Sequence, residues 1–186
     1  MLKNHIRKQG LKDRLSLTDA TYGELNEALL KQFKTLDFNG IKTIHIFLPI
    51  KEKKEPDTFL LIEWLNQTLP NIKIVVPKAD FETALMTHHE YIGEEDLKKN
   101  LYHILEPQKG NLHKGEIDLV IIPLLAFDKQ GYRVGYGKGF YDRFLNGLNA
   151  QKIGLSLYPA VEKIDDVHEQ DIKLDFCITP TEIIKF

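Results

Sequence analysis

Arg133, Gly135, Gly137, Lys138, Gly139, Tyr141 and Asp142 form the densest group of chemically capable residues, within the string Arg-Val-Gly-Tyr-Gly-Lys-Gly-Phe-Tyr-Asp. Glycine at every second position allows positive φ and a close approach of the backbone to a ligand. Backbone N–H groups in such a loop, followed by a helix start, make a concave site for phosphate oxygens. Arg133 supplies a planar fork and Lys138 a point charge, both of the sign phosphate needs. The string is not a P-loop, because Gly139 and Phe140 follow Lys138 where Ser or Thr is required. It also departs from Gly-x-Gly-x-x-Gly, because the third glycine comes too early. Taken alone, the glycines favour a flexible turn between strand and helix. The full string, with its arginine, lysine, aromatics and acid, is far more specific.

Other candidates are weaker. Lys3 and Arg7 are spaced i and i+4 on a basic amphipathic segment, residues 2–15, and so share a helix face. A solvated basic face is the simpler reading of that pair. His45 lies between Ile44 and Ile46 and reads as a partly buried, hydrogen-bonded histidine. His88 and His89 adjoin on a strand-like run, so their side chains point to opposite faces and do not pair on a metal. Glu52, Glu55 and Asp57 form a charged loop, and Glu162, Asp165, Asp166, Glu169 and Asp171 form another. Both read as solvated.

The elements that must position these residues follow from pattern. Leu119 to Ile122 is apolar without alternation and stops at Pro123, which suits a strand buried on both faces. Residues 128–131 read as a turn, and residues 140–148 as a helix with Phe140, Phe144, Leu145 and Leu148 on one face. Further strands are expected at 41–48, 71–76, 85–91, 152–158 and 174–179, the last of these closing the chain. Helices are expected at 2–15, with a disturbance at Gly10, at 20–36 after Thr18-Asp19 as N-cap, at 57–69, and as a short exposed piece at 94–99. Alternating strands and helices predict a three-layer α/β fold, a mostly parallel open sheet with helices on both faces. Ligands in such folds sit beyond the carboxyl ends of strands.

The string from Asp118 to Asp142 closely resembles the signature of the 5-formyltetrahydrofolate cyclo-ligase family, also called methenyltetrahydrofolate synthetases. The resemblance extends to both ends of the chain, through Lys3-x-x-x-Arg7 and through Asp171 before Lys173. It implies ATP- and magnesium-dependent conversion of 5-formyltetrahydrofolate to 5,10-methenyltetrahydrofolate, with ADP and phosphate released through a phosphorylated formyl oxygen. It implies ATP contacts from Lys3, Asn4, His5, Ile6 and Arg7, and from Arg133, Val134, Gly135, Tyr136, Gly137, Lys138, Gly139, Phe140 and Tyr141. Lys138, Arg133 and Tyr141 take the catalytic roles. Leu48 and Glu55, with Tyr136 to Phe140, take the folate, and Glu52 is the rival to Glu55. Asp142 and Asp171 take the magnesium.

The bulk properties agree. The chain has 186 residues, 42% of them hydrophobic, and a net charge of −2, which fits one domain, 1–186, with a sizeable core. No basic excess points to nucleic acid and no polybasic tail to a membrane. The single Cys177 excludes an internal disulfide and reads as a small core residue. No leader-like apolar block is read at the N-terminus, so a cytoplasmic monomer acting on small molecules is expected. Two other functions stay in view: a phosphate-binding module without this activity, and a sugar-phosphate isomerase suggested by fold analogy alone.

Overall fold

The computed structural model describes residues 1–186. Helix α1 (Lys3–Ser16) is followed by α2 (Asp19–Phe33), which Thr18 caps by accepting the Thr21 N–H at 3.1 Å. Strand β1 (Thr43–Ile46), helix α3 (Thr58–Thr68), β2 (Lys73–Asp80) and β3 (Leu85–Glu90) come next. Then come β4 (Leu97–Lys99), β5 (Leu105–Pro107), β6 (Leu119–Pro123), β7 (Ala126–Phe127) and β8 (Arg133–Val134). Helix α4 (Phe140–Leu145) leads to β9 (Gln151–Leu155), β10 (Phe176–Ile178) and β11 (Ile183–Lys185).

One seven-stranded sheet runs in the order β11-β10-β9-β6-β1-β2-β3, parallel at its centre and antiparallel at both edges. Alternation of side chains across the pleat divides the core. Ile44, Ile46, Leu119 and Ile121 face α2 and α3, where they meet Leu29, Phe33, Leu61 and Leu65. Val75, Val120 and Ile122 face the other way, onto Leu145 of α4, Phe127 and Cys177. Leu119 to Ile122 are all fully buried, as an unbroken apolar run requires. β1 and β6 are neighbours, yet the chain leaves β1 toward β2 and β3 and leaves β6 toward β9 and β10. The strand order therefore reverses between β1 and β6, and a crevice opens beyond their carboxyl ends.

Several expectations are corrected. α1 does not bend at Gly10; it packs on the β7–β8 hairpin, and a Cβ at Gly10 would lie 2.8 Å from the Leu125 carbonyl oxygen. β2 does not stop at Pro77 but continues to Asp80, because β3 pairs with it through Asp80, beyond its last pairing with β1 at Val75. Residues 94–99 are a single 3₁₀ turn and then β4. The Asp96 carboxylate draws that segment inward by accepting the N–H groups of Gln108, Lys109 and Gly110 at 3.2, 2.8 and 3.1 Å. α4 ends at Leu145, short of Leu148, because Gly147 turns the chain at φ +75°. β10 is not the last strand, since β11 folds back on it.

Candidate active site

A cavity of about 1220 Å³ lies at the crevice between the ends of β1 and β6. Residues 133–143 line it without interruption, which brings in every expected contact from Arg133 to Tyr141 and also Asp142. Lys3, Arg7, Leu48, Glu55 and Asp171 line it as well. Of the expected contacts, Asn4 and His5 are exposed outside it, and Ile6 is 2% exposed in a small core with Ala126, Val134 and Ile164. Ile6 and Arg7 are neighbours on a helix, so one anchors α1 while the other reaches the cavity.

The glycine loop runs from β8 to α4. Gly137 has φ +87° and Gly139 φ +70°, while Gly135 stays in the ordinary range. Arg7 Nε donates to the Gly135 carbonyl at 2.9 Å, and Arg143 donates to the Lys138 carbonyl at 2.9 Å. The loop is thus held from two sides with its carbonyls occupied. α4 has only six residues, so its dipole is short, and the loop N–H groups and the neighbouring cations are what could attract an anion here.

Two ion pairs border the loop. Arg133 donates to Asp142 Oδ1 at 2.8 Å, and the same oxygen accepts the Ile172 N–H at 3.2 Å. Arg133 also donates to the Ile172 carbonyl, so this one arginine ties residues 168–172 to α4. Lys3 Nζ pairs with Asp171 Oδ2, which also accepts the His168 N–H at 2.7 Å. Burial would raise the Asp171 carboxyl, but the hydrogen bonds from Lys3 and His168 outweigh it and hold it below its usual range. No cluster of three or more His, Cys, Asp or Glu exists in the chain. Magnesium does not need one, since it takes one or two carboxylates and completes its shell with phosphate and water. Asp142 and Asp171 each make their protein contacts through one oxygen, so the donor set fits that ion.

A second stretch of the cavity lining comes from the loop after β1. A 3₁₀ turn, Lys51–Lys53, and Lys54 at φ +47° reverse the chain. Glu55 is thereby tucked in at 2% exposure, where its Oε2 accepts the Ile50 N–H at 2.7 Å. Glu52 points outward and pairs with Lys99. The structure therefore places Glu55, and not Glu52, in the cavity. Burial pushes the Glu55 carboxyl up, opposed by the Ile50 N–H, Arg14, Tyr136 and Lys53. Burial likewise raises the Tyr141 phenol, whose hydroxyl is enclosed without a partner.

Some lining was not legible beforehand. Lys53 sits 4.2 Å from the Tyr136 ring centroid. Phe81 stacks on Tyr102 at 4.1 Å and meets Phe140 at 5.2 Å, giving the mouth an aromatic wall. Arg14 is 2% exposed and donates to the Tyr136 hydroxyl; its i+7 spacing from Arg7 was the available signal. His45 differs from expectation: it is fully buried and both ring nitrogens lack a partner. It packs among His88, Phe144 and Tyr141 at 5.1, 5.0 and 5.9 Å between centroids.

A sequence model of the 5-formyltetrahydrofolate cyclo-ligase family matches residues 1–180. The 5-formyltetrahydrofolate cyclo-ligase of Mycoplasma pneumoniae is 30% identical over 183 residues, covering 96% of this chain and 98% of that protein. The enzyme of the same name from Escherichia coli K12 is 32% identical over 148 residues, 76% of this chain and 79% of the relative. The NMR structure of Aquifex aeolicus 5,10-methenyltetrahydrofolate synthetase superposes with a TM-score of 0.82 at 28% identity, over 100% of this chain and 93% of that one.

Proposed function

The chain belongs to the 5-formyltetrahydrofolate cyclo-ligase family, and from that premise we propose that it uses ATP and magnesium to convert 5-formyltetrahydrofolate to 5,10-methenyltetrahydrofolate. ADP and phosphate are the other products. The observation that supports this best is one cavity lined by two chemically different groups: a glycine loop among Lys3, Arg7, Arg133 and Lys138, and the buried carboxylate of Glu55.

A formamide is a poor electrophile. Transfer of the terminal phosphoryl group of ATP to the formyl oxygen turns that oxygen into a leaving group. Nitrogen 10 then attacks the formyl carbon, the carbon–oxygen bond breaks with loss of phosphate, and nitrogen 10 gives up its proton. Phosphoryl transfer depends mainly on positioning and charge neutralisation. Lys138 and Arg133 hold the phosphate charge, while Lys3 and Arg7 bring α1 to the same anion. Magnesium, when bound, neutralises further phosphate charge, and Asp142 and Asp171 would hold it. Glu55, ionised, accepts hydrogen bonds from the pterin ring N–H and amino groups, and Leu48 packs against the ring. Tyr141, whose enclosed phenol lines the same cavity, takes the third catalytic role. We also infer that the chain works as a single domain and as a monomer. No helix is long and apolar enough to cross a membrane.

The test is spectrophotometric: growth of methenyltetrahydrofolate absorbance from 5-formyltetrahydrofolate, with and without ATP and magnesium. Product formed only with ATP is expected. Absence of product with both present, or equal product without ATP, would sink the proposal.

A further inference from the structure

We propose that Arg14 is a positioning residue for the folate end of the site: it anchors the Tyr136 phenol and, across that phenol, supports the Glu55 carboxylate as acceptor. This rests on the reading of Glu55 as the pterin-binding carboxylate.

Arg14 differs from the other cations of α1. It lies two turns beyond Arg7 on the same face and is 2% exposed. Nη2 donates to the Tyr136 hydroxyl and Nη1 to the Leu124 carbonyl at 3.3 Å, while Nε is enclosed without a partner. A guanidinium buried this deeply without a carboxylate in contact is costly unless an opposite charge stands nearby. Glu55, itself 2% exposed, is that charge, and Tyr136 stands between them.

The position of Tyr136 matters to both substrates. Its neighbours are Gly135 and Gly137, so its backbone is the least constrained part of the loop and its side chain is the anchor. Lys53 lies over the ring at 4.2 Å and Arg14 at 5.8 Å. The charged and titratable groups facing Glu55 are Arg14 from α1, Tyr22 from α2, Lys53 from the 3₁₀ turn, Tyr136 from the glycine loop and Tyr141 from α4. Burial of Glu55 favours its neutral form, and Arg14 opposes that. Only the ionised form accepts two pterin N–H groups at once. Removing the Arg14 charge therefore shifts Glu55 toward protonation, and the loss is largest on the acid side.

Arg14→Met keeps the stem and removes the charge. We expect KM for 5-formyltetrahydrofolate to rise about tenfold at pH 7, with a smaller effect on KM for ATP. The acid limb of kcat/KM for the folate should move to higher pH, so the defect shrinks as pH rises. Tyr136→Phe removes one hydroxyl, endangers the fold less, and should move the limb the same way. Arg14→Lys keeps the charge and should recover part of the shift. A purely structural arginine would lower Tm without moving the limb, so unmoved limbs in Arg14→Met and Tyr136→Phe overturn the proposal. Should Arg14→Met not fold, Tyr136→Phe alone decides it. Glu55→Gln is measured alongside. A raised folate KM there, with unmoved Arg14 and Tyr136 limbs, sinks the Arg14 inference only; an ordinary folate KM in Glu55→Gln removes both readings.

Discussion

At the residue scale, the three loop glycines are not equivalent. Gly137 has φ +87°, and a Cβ there would lie 3.3 Å from the Arg7 guanidinium carbon. Gly135 has open space around it and no positive φ. An L-residue in the left-handed region costs roughly 1–2 kcal/mol. Gly137→Ala should therefore raise KM for ATP by roughly 5–30-fold, the factor that penalty corresponds to, and should also displace Arg7. Gly135→Ala should leave KM for ATP near the wild-type value. Michaelis constants of the two variants check this directly. Equal effects at both positions would show that neither φ nor the Arg7 contact matters.

At the element scale, two contacts hold the glycine-loop region of the cavity together. The first is α1 on the β7–β8 hairpin. Replacing a helical glycine by alanine ordinarily stabilises by about 1 kcal/mol. At Gly10 the added Cβ would sit 2.8 Å from a backbone oxygen that cannot easily yield. Overpacking of this kind costs about 1–3 kcal/mol, so it should win. Gly10→Ala is expected to lower Tm and raise KM for ATP, because Lys3 and Arg7 move with the helix; a higher Tm would show the contact has slack. The second contact is the Arg133–Asp142 clip between α4 and residues 168–172. Asp142→Asn should sharply reduce turnover and raise the magnesium concentration for half activity. Asp171→Asn should do the same more mildly, since Asp171 lies outside the glycine loop and its helix and reaches the cavity through its pair with Lys3. Titration of magnesium against activity separates this from a simple stability loss. Unchanged half-activation concentrations would remove both carboxylates from the metal site.

At the scale of the whole molecule, the reversal of strand order between β1 and β6 sets where the cavity opens, and the sheet interior sets how stability responds to acid. His45 is held neutral well below its ordinary range by burial and then by His88, and burial also lowers His88, to about 4. Both histidines titrate near 6.5 when unfolded. Between those values the unfolded chain binds more protons than the folded one. Stability should therefore be full above about pH 6.5 and be lost as pH falls toward about 4. A buried neutral histidine contributes a slope of at most about 1.4 kcal/mol per pH unit. His45→Phe, which suits the aromatic neighbours, should flatten the curve in this window and keep the fold. Urea midpoints at pH 7.5 and pH 5, conditions chosen to bracket the unfolded histidine pKa of about 6.5, test it. An unchanged difference between them would mean that His45 gains a proton partner after all.

What the sequence determined by itself was local. An apolar run without alternation can only be covered on both faces, so Leu119 to Ile122 announced the central strand. Glycines at alternate positions beside Arg133 and Lys138 announced a loop with positive φ and two cations, because φ and charge are properties of single residues. Thr18 announced the start of α2, because a cap bonds within one turn. Other features depended on residues distant in the chain. Lys3 meets Asp171 across 168 positions, and only the order of strands decides that. Asp171 therefore belongs to the cavity, while Asp165, from the same acidic stretch, stays half exposed. Glu55 and Glu52 are chemically identical; the turn at Lys54 buries one and leaves the other in solvent. Arg14 looks like any helix cation until the β7–β8 hairpin and Tyr136 close over it. Burial is a property of neighbours, and those neighbours come from elements that local periodicity cannot place beside one another.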